Sequence, residues 1–70
     1  MTVQQDLQKA VAAAQSALGT YSTFSLSTQD PTAKSMFQEL SQDAQRHVDM
    51  LNNRLAYVTK NNQLNQDTSS

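Results

Sequence analysis

A single Asp-Pro step, Asp30-Pro31, divides this chain of 70 residues into two long segments. A residue that precedes proline is pushed out of helical geometry, aspartate is a favoured helix N-cap, and proline suits the first helical position. The chain has no other proline and one glycine, Gly19, so neither segment contains another strong break. The sequence therefore predicts two helices joined by a short turn at residues 28–30.

The first segment carries a helix start signal and an apolar stripe. Thr2 followed by Gln5 fits a capping box, in which each side chain binds the other residue's backbone amide. From Val3 to Phe24, apolar residues follow alternating steps of four and three, which keeps them on one helix face. The stretch TYSTFSLSTQD then offers side chains that compete for backbone hydrogen bonds. We predict a helix over about residues 3–27, with Gly19 opposite the stripe.

The second segment has a longer stripe. Apolar residues recur at helical spacing from Ala33 to Val58, with Met36 and His47 at the edge of that face. The spacing predicts a helix over about residues 31–59, which is roughly 42 Å long at 1.5 Å per residue. Residues 60–70 have one apolar residue and no periodicity, so they are predicted to form a disordered polar tail. The domain prediction is a helical hairpin over residues 1–59 followed by this tail.

The predicted fold is all-α, an antiparallel two-helix hairpin, because a connection this short forces the helices to run in opposite directions. Folding the chain back at residues 28–29 places Tyr21 near Met36 and Phe37, and Ala14 near Ala44. Small residues of the first helix then face larger residues of the second in most layers.

The low apolar content indicates that a single hairpin needs a binding partner to be stable. Only 37% of the residues are apolar and there is no cysteine, whereas chains of this size usually need disulfides, a metal or a partner subunit. We therefore expect two hairpins to dimerise into a four-helix bundle, with the protein itself as partner in a homodimer or a higher assembly. The predicted oligomer interface consists of Leu7, Val11, Ala14, Leu18, Tyr21, Phe24, Met36, Phe37, Leu40, Ala44, His47, Val48, Leu51, Arg54, Leu55 and Val58.

The charge and hydropathy patterns argue against nucleic-acid and membrane partners. The formal net charge is −1, and the five Lys and Arg residues form no cluster of the kind that phosphate backbones require. The longest apolar run, AVAAA, is far shorter than the ~20 residues that span a bilayer. No basic stretch followed by an apolar one marks a signal peptide. We expect a soluble, cytoplasmic protein with no direct membrane insertion.

Four stretches carry a family resemblance: MTV at the start, STQD at the turn, AKSMFQEL in the second helix and VDMLNNRLAYV near its end. Over about residues 1–58 the chain resembles an uncharacterised Firmicute family known as domain of unknown function 1657. The resemblance implies a short two-helix protein of spore-forming bacteria, whose genes often lie beside those for spore membrane proteins. It therefore implies a forespore or spore setting and a spore membrane protein as a partner, and it implies no reaction or ligand.

A more distant resemblance, through DPTAKSMFQELSQDAQRHVDML, is to the rubrerythrin-like half of the ferritin-like fold. A di-iron site in such a bundle needs Glu from two helices and a Glu-x-x-His motif from each of the others. Here the tetrad ending at His47 begins with Ala44, and the first helix contains no Glu. We predict no metal and no cofactor. His47 is interpreted as a boundary residue that hydrogen-bonds Asp43, with a residual metal ligand as the alternative.

The sequence predicts no enzyme, because there is no cysteine, one histidine and no Gly-rich turn to form an oxyanion hole. The leading hypothesis is a non-catalytic, self-assembling structural protein associated with sporulation. The alternative is a helical adaptor whose stripe docks a partner protein's helix. Met36 and Met50 fit an adaptable binding surface in that case, although methionine at helical spacing more often fills a core. Arg54 lies on the same edge of the helix as Met36 and His47, where it is expected to form a salt bridge or cover apolar surface with its stem, or else to contact another subunit.

Overall fold

The computed structural model describes residues 2–64, with side chains over residues 2–61, and this part of the chain folds into two helices. Helix α1 spans Val3–Ser27 and helix α2 spans Pro31–Leu64, and they pack against each other as a hairpin. No strand occurs in the described residues. The predicted all-α hairpin is confirmed, and the molecule is long and thin, with extents of 55, 17 and 11 Å.

Both helix starts depend on the predicted caps. At α1, the Thr2 hydroxyl accepts a hydrogen bond from the backbone N–H of Gln5 at 3.1 Å, and the Gln5 side-chain oxygen accepts one from the Thr2 N–H at 3.1 Å. At α2, the Asp30 carboxylate accepts from the Ala33 N–H at 2.8 Å. These bonds satisfy N–H groups that have no partner within their own helix. The predicted capping box and the predicted Asp30 cap are both confirmed.

Helix α2 is longer than the sequence indicated. It continues to Leu64, so the prediction that a disordered tail begins at residue 60 is wrong for residues 60–64. The remainder of the predicted tail, residues 65–70, lies outside the described residues. The extension has a simple cause: Asn has only modest helix propensity, but Lys, Gln and Leu are good helix formers, no proline or glycine follows Lys60, and adding residues to an existing helix costs little.

The hairpin buries very little. Among the described residues, the apolar side chains classed as buried are Val11, Ala44 and Val48, which are 9%, 3% and 6% exposed, and no large side chain is fully buried. Ser25 is also buried, and its hydroxyl donates to the Ser22 carbonyl at 2.7 Å. The accessible surface is 5241 Å², whereas a compact protein of this length exposes about 4300 Å². The two helices therefore share a seam of small side chains rather than a complete core.

The packing register differs from the simple fold-back. The Phe37 ring contacts the Phe24 ring in a tilted arrangement, with ring centroids 5.4 Å apart and an interplanar angle of 57°, whereas the fold-back placed Phe37 near Tyr21. The contact is thus displaced by about one helical turn. Helical side chains lean toward their own N-terminus. In an antiparallel pair those of α1 lean away from the turn and those of α2 lean toward it, so contacting residues lie further along the chain than their backbones suggest.

Candidate functional site

One face of the hairpin carries most of the exposed apolar surface. A groove of about 230 Å³ runs between the helices, lined by Ala14, Ala17 and Tyr21 of α1 and by Leu40, Asp43, Ala44 and His47 of α2. Steps of three, four or seven extend both edges of this groove along their helices, so the added residues point to the same side. We call this surface the groove face: Val3, Ala10, Ala14, Ala17, Tyr21 and Phe24 of α1, and Met36, Leu40, Asp43, His47, Met50, Arg54 and Tyr57 of α2.

The large exposed apolar side chains concentrate on the groove face. Six such side chains occur among the described residues, and five of them belong to this face: Val3, Phe24, Met36, Met50 and Tyr57, which are 62%, 46%, 50%, 68% and 56% exposed. Leu26, in the last turn of α1, is the exception. Scattered exposed apolar residues are normal on a protein surface, but a contiguous apolar patch usually marks an interaction site.

The opposite side of the hairpin is polar. Ser22 and Ser41 follow Tyr21 and Leu40 in sequence, and a step of one residue turns a helix by 100°. Their hydroxyl oxygens lie 2.8 Å apart and form a hydrogen bond between the helices. We call this surface the serine face: Gln8, Gln15 and Ser22 of α1, and Ser41, Gln45, Asn52 and Thr59 of α2. Its exposed amides and hydroxyls are suited to contact with water.

Two charged side chains of the groove face, Asp43 and Arg54, contact neighbours within the hairpin. The Asp43 carboxylate accepts a hydrogen bond from the Arg46 guanidinium, and the two form an ion pair. The predicted bond between His47 and Asp43 is therefore replaced by a bond from Arg46, and His47 is exposed. The Arg54 guanidinium lies 4.8 Å from the centre of the Tyr57 ring, a cation–π contact.

The sixteen predicted interface residues divide into two groups. Most of them form or border the seam within the hairpin, as Val11 and Val48 do. A smaller group belongs to the groove face and is open to a second molecule: Ala14, Tyr21, Phe24, Met36, Leu40, His47 and Arg54. Whether this group contacts another chain stays a prediction.

Six residues of the groove face were not in the predicted interface: Val3, Ala10, Ala17, Asp43, Met50 and Tyr57. The largest of these side chains are Met50 and Tyr57, and both are exposed. Each continues the step of three or four from His47 and Arg54, and that spacing is the signal that could have found them. The favoured interpretation of Met36 and Met50 as core-filling residues is wrong for the hairpin, since both are at least half exposed. Their exposure fits the other interpretation, an adaptable surface.

Within the described part of the chain, no three His, Asp or Glu side chains lie close enough together to hold a metal ion. Neither α1 nor α2, over the residues described, is sufficiently long and apolar to cross a membrane.

These features define a class: a two-helix hairpin with a thin seam, one open apolar face and one polar face. A family model described as protein of unknown function (DUF1657) matches residues 7–55, which cover most of both helices. The chain belongs to this family, and the resemblance noted in its sequence is confirmed. No curated protein and no solved structure matches the chain.

Proposed function

We propose that this protein is a non-catalytic structural protein that self-associates through its groove face, so that two hairpins complete a four-helix bundle. The proposal rests on one observation, the difference between the apolar side chains buried in the seam and those left exposed on the groove face. The seam buries three apolar side chains, none larger than valine, whereas five apolar side chains, four of them larger than valine, remain exposed on a single face. Covering that face with a second copy gives both hairpins the core that neither has alone.

The dimensions of the groove face support this proposal. Two helices lie side by side over the 25 residues of α1, roughly 37 Å, and the hairpin is 17 Å wide. A surface of that size is comparable to the ~800 Å² that each partner buries in a typical stable interface. Each Met, Val or Phe side chain that becomes buried contributes about 1.5–3 kcal/mol. The serine face, with its exposed amides, stays in contact with water in such a bundle.

Solution mass at low micromolar concentration tests the proposal. We expect light scattering or sedimentation to give a dimer or a larger oligomer with high helical content. A chain that stays monomeric and fully helical at high dilution would refute self-association, because it would show that the thin seam is sufficient for folding.

A matched pair of variants tests which face is used. Met50→Lys places a charge on the groove face, and Asn52→Lys places the same charge two residues away on the serine face. In Met50→Lys, each copy loses the ~1.5–3 kcal/mol that burial of the methionine side chain contributes to the free energy of association. We expect this loss to weaken association by roughly tenfold or more. Asn52→Lys should associate like the parent protein. Equal effects of the two variants would contradict an interface on the groove face.

A helical adaptor is the second candidate function, and the exposure of Met36 and Met50 favours it. Unbranched methionine side chains adjust to different partners, and an amphipathic helix can lie in an apolar groove of this kind. In this case the partner is a helix of another protein, such as a spore membrane protein. A partly folded monomer that becomes helical only with that partner is the expected behaviour, and a stable homodimer would argue against it.

We further propose that the protein acts in the cytoplasm of sporulating cells, in the forespore or spore of a Firmicute. The support for this setting is the family resemblance and the gene neighbourhoods that it implies. A fluorescent fusion expressed from the native promoter should appear during sporulation and collect in the forespore. Uniform expression during vegetative growth, or a source organism that forms no spores, would contradict the setting without affecting self-association.

A further inference from the structure

We infer that the two copies pack with their turns at the same end, so that α1 of each hairpin lies on α2 of the other. This arrangement places the two-fold axis parallel to the helices. The inference rests on the proposed self-association through the groove face and adds its geometry. The alternative two-fold axis, across the helices, would place the turns at opposite ends and would pack α1 on α1 and α2 on α2.

The two halves of the groove face differ in side-chain size. In its middle, α1 contributes only alanines, Ala10, Ala14 and Ala17. At the same level α2 contributes His47 and Met50, since His47 lines the same groove as Ala14 and Ala17. With the turns at the same end, each residue of one copy meets residues at its own level in the other copy. The alanines then accept the larger side chains of α2, and small residues opposite large ones fill space evenly.

The arrangement with turns at opposite ends fits these sizes poorly. It would bring alanines of α1 against alanines of the second copy's α1, while the large side chains of α2 met each other. The distance between packed helices varies from 8 to 10 Å with the side chains at the contact. One pair of helices would then need a close approach and the other a wide one. In the same-end arrangement, the two contacts between copies are identical by symmetry.

Charge placement gives independent support. The rings of Phe24 and Phe37 are in contact at one level of the hairpin. Moving eighteen residues toward the free ends, five full helical turns, leads from Phe24 to Asp6 and from Phe37 to Leu55. Asp6 therefore points in the same direction as Phe24, at the edge of the groove face, and it lies level with Arg54. With the turns at the same end, Asp6 of each copy faces Arg54 of the other, which makes two complementary charge pairs per dimer.

A label at the turn measures the arrangement directly. The chain has no cysteine, and Gln29 is exposed, so Gln29→Cys carries a single nitroxide spin label at the turn. Turns at the same end place the two backbones at roughly the 10 Å spacing of packed helices. Turns at opposite ends would place them roughly 37 Å apart or more, the length of the 25-residue α1. Dipolar spectroscopy should therefore give a short distance.

The outcomes separate this inference from the proposed function. A long distance between labels in a dimer would overturn the same-end arrangement and leave self-association intact. A monomer would refute the self-association itself. A second labelled variant, Gln15→Cys, controls for effects of the label itself. Because Gln15 lies on the serine face, the labelled variant should have the same dimer mass as the parent protein.

Charge reversal provides a second test. Asp6→Arg and Arg54→Asp each place like charges at both contacts of a same-end dimer, and each should weaken association by roughly three- to tenfold. An equimolar mixture of the two variants should form heterodimers with parental affinity, because each contact then joins opposite charges. Loss of the favourable Asp6 charge near the α1 start cannot imitate this rescue. Gln8→Arg, on the serine face, is the matched control, and a mixture without heterodimer preference would overturn the inference.

Discussion

The groove face and the serine face are built from the same two helices, yet they carry different kinds of contact. On the serine face, a hydrogen bond between Ser22 and Ser41 joins the helices at one defined position. On the groove face, the contacts are apolar and incomplete, and large side chains such as Met50 and Tyr57 stay exposed. A directional bond fixes register, whereas an uncovered apolar surface favours association. Alignment within the hairpin and capacity for assembly therefore reside on opposite sides of it.

The largest expected effect is a loss of folding caused by substituting Ala44, which lies between the helices and lines the groove. Ala44→Glu places a carboxylate at a position that is 3% exposed. A buried charge without a partner costs about 3–5 kcal/mol, which is as much as a core of this size supplies. We expect the variant to lose its helical circular dichroism at room temperature. Gln38→Glu, an exposed change on the same helix, should retain the parental melting curve, and a helical Ala44→Glu variant would contradict the seam as described.

A smaller effect separates association from folding. Ala14→Leu adds bulk to the groove, where it obstructs a second copy, and overpacking of this kind costs about 1–3 kcal/mol. We expect weaker association with the helices retained, measured as solution mass against concentration. Ala12→Leu makes the same change on an exposed part of α1 outside the groove face. If Ala14→Leu kept the parental mass at every concentration, association would not use the groove face.

Substitutions on the serine face should lower the stability of the fold without changing the affinity of the dimer. Replacing Ser22 or Ser41 by alanine removes the hydrogen bond between the helices, and such a bond contributes about 1 kcal/mol. We expect each single variant to melt at a lower temperature. The double variant should lose less than the sum, because both changes remove the same bond. Dimer affinity, measured where every variant is fully folded, should not change, and a marked decrease would break the contrast between the faces.

The smallest effect is a gain in stability. A Cβ atom added at Gly19 would meet nothing within 4 Å, and the residue lies inside a helix. Gly19→Ala should therefore raise the free energy of unfolding by about 0.5–1 kcal/mol through helix propensity. Thermal melting measures the gain, and solution mass should stay at the parental value. A loss of stability would show that the outer side of α1 contacts something in the assembly.

The fold could be predicted from the sequence because its determinants are local. Asp30-Pro31 marks the turn, Thr2 with Gln5 caps α1, and steps of three and four identify the stripes. Each of these signals depends on a few neighbouring residues. The family resemblance added confirmation of the group to which the chain belongs, without a function.

The packing register and the partners of the charged side chains could not be predicted in the same way. The register depends on the lean of side chains on two different helices, so Phe37 contacts Phe24 one turn from the expected level. The partner of Asp43 depends on a choice between two basic residues on one helix, His47 and Arg46. Spacing allowed both, and the longer, always charged arginine forms the ion pair.

The short connection at residues 28–30 also sets the order in which contacts form. Only three residues separate the helices, so each segment is held at a high effective concentration relative to the other. Closure within one chain needs no encounter, while joining two chains depends on their abundance. A self-associating protein of this design responds to its own abundance: below a certain copy number the cell contains unassembled single chains, and above it the assembled form accumulates.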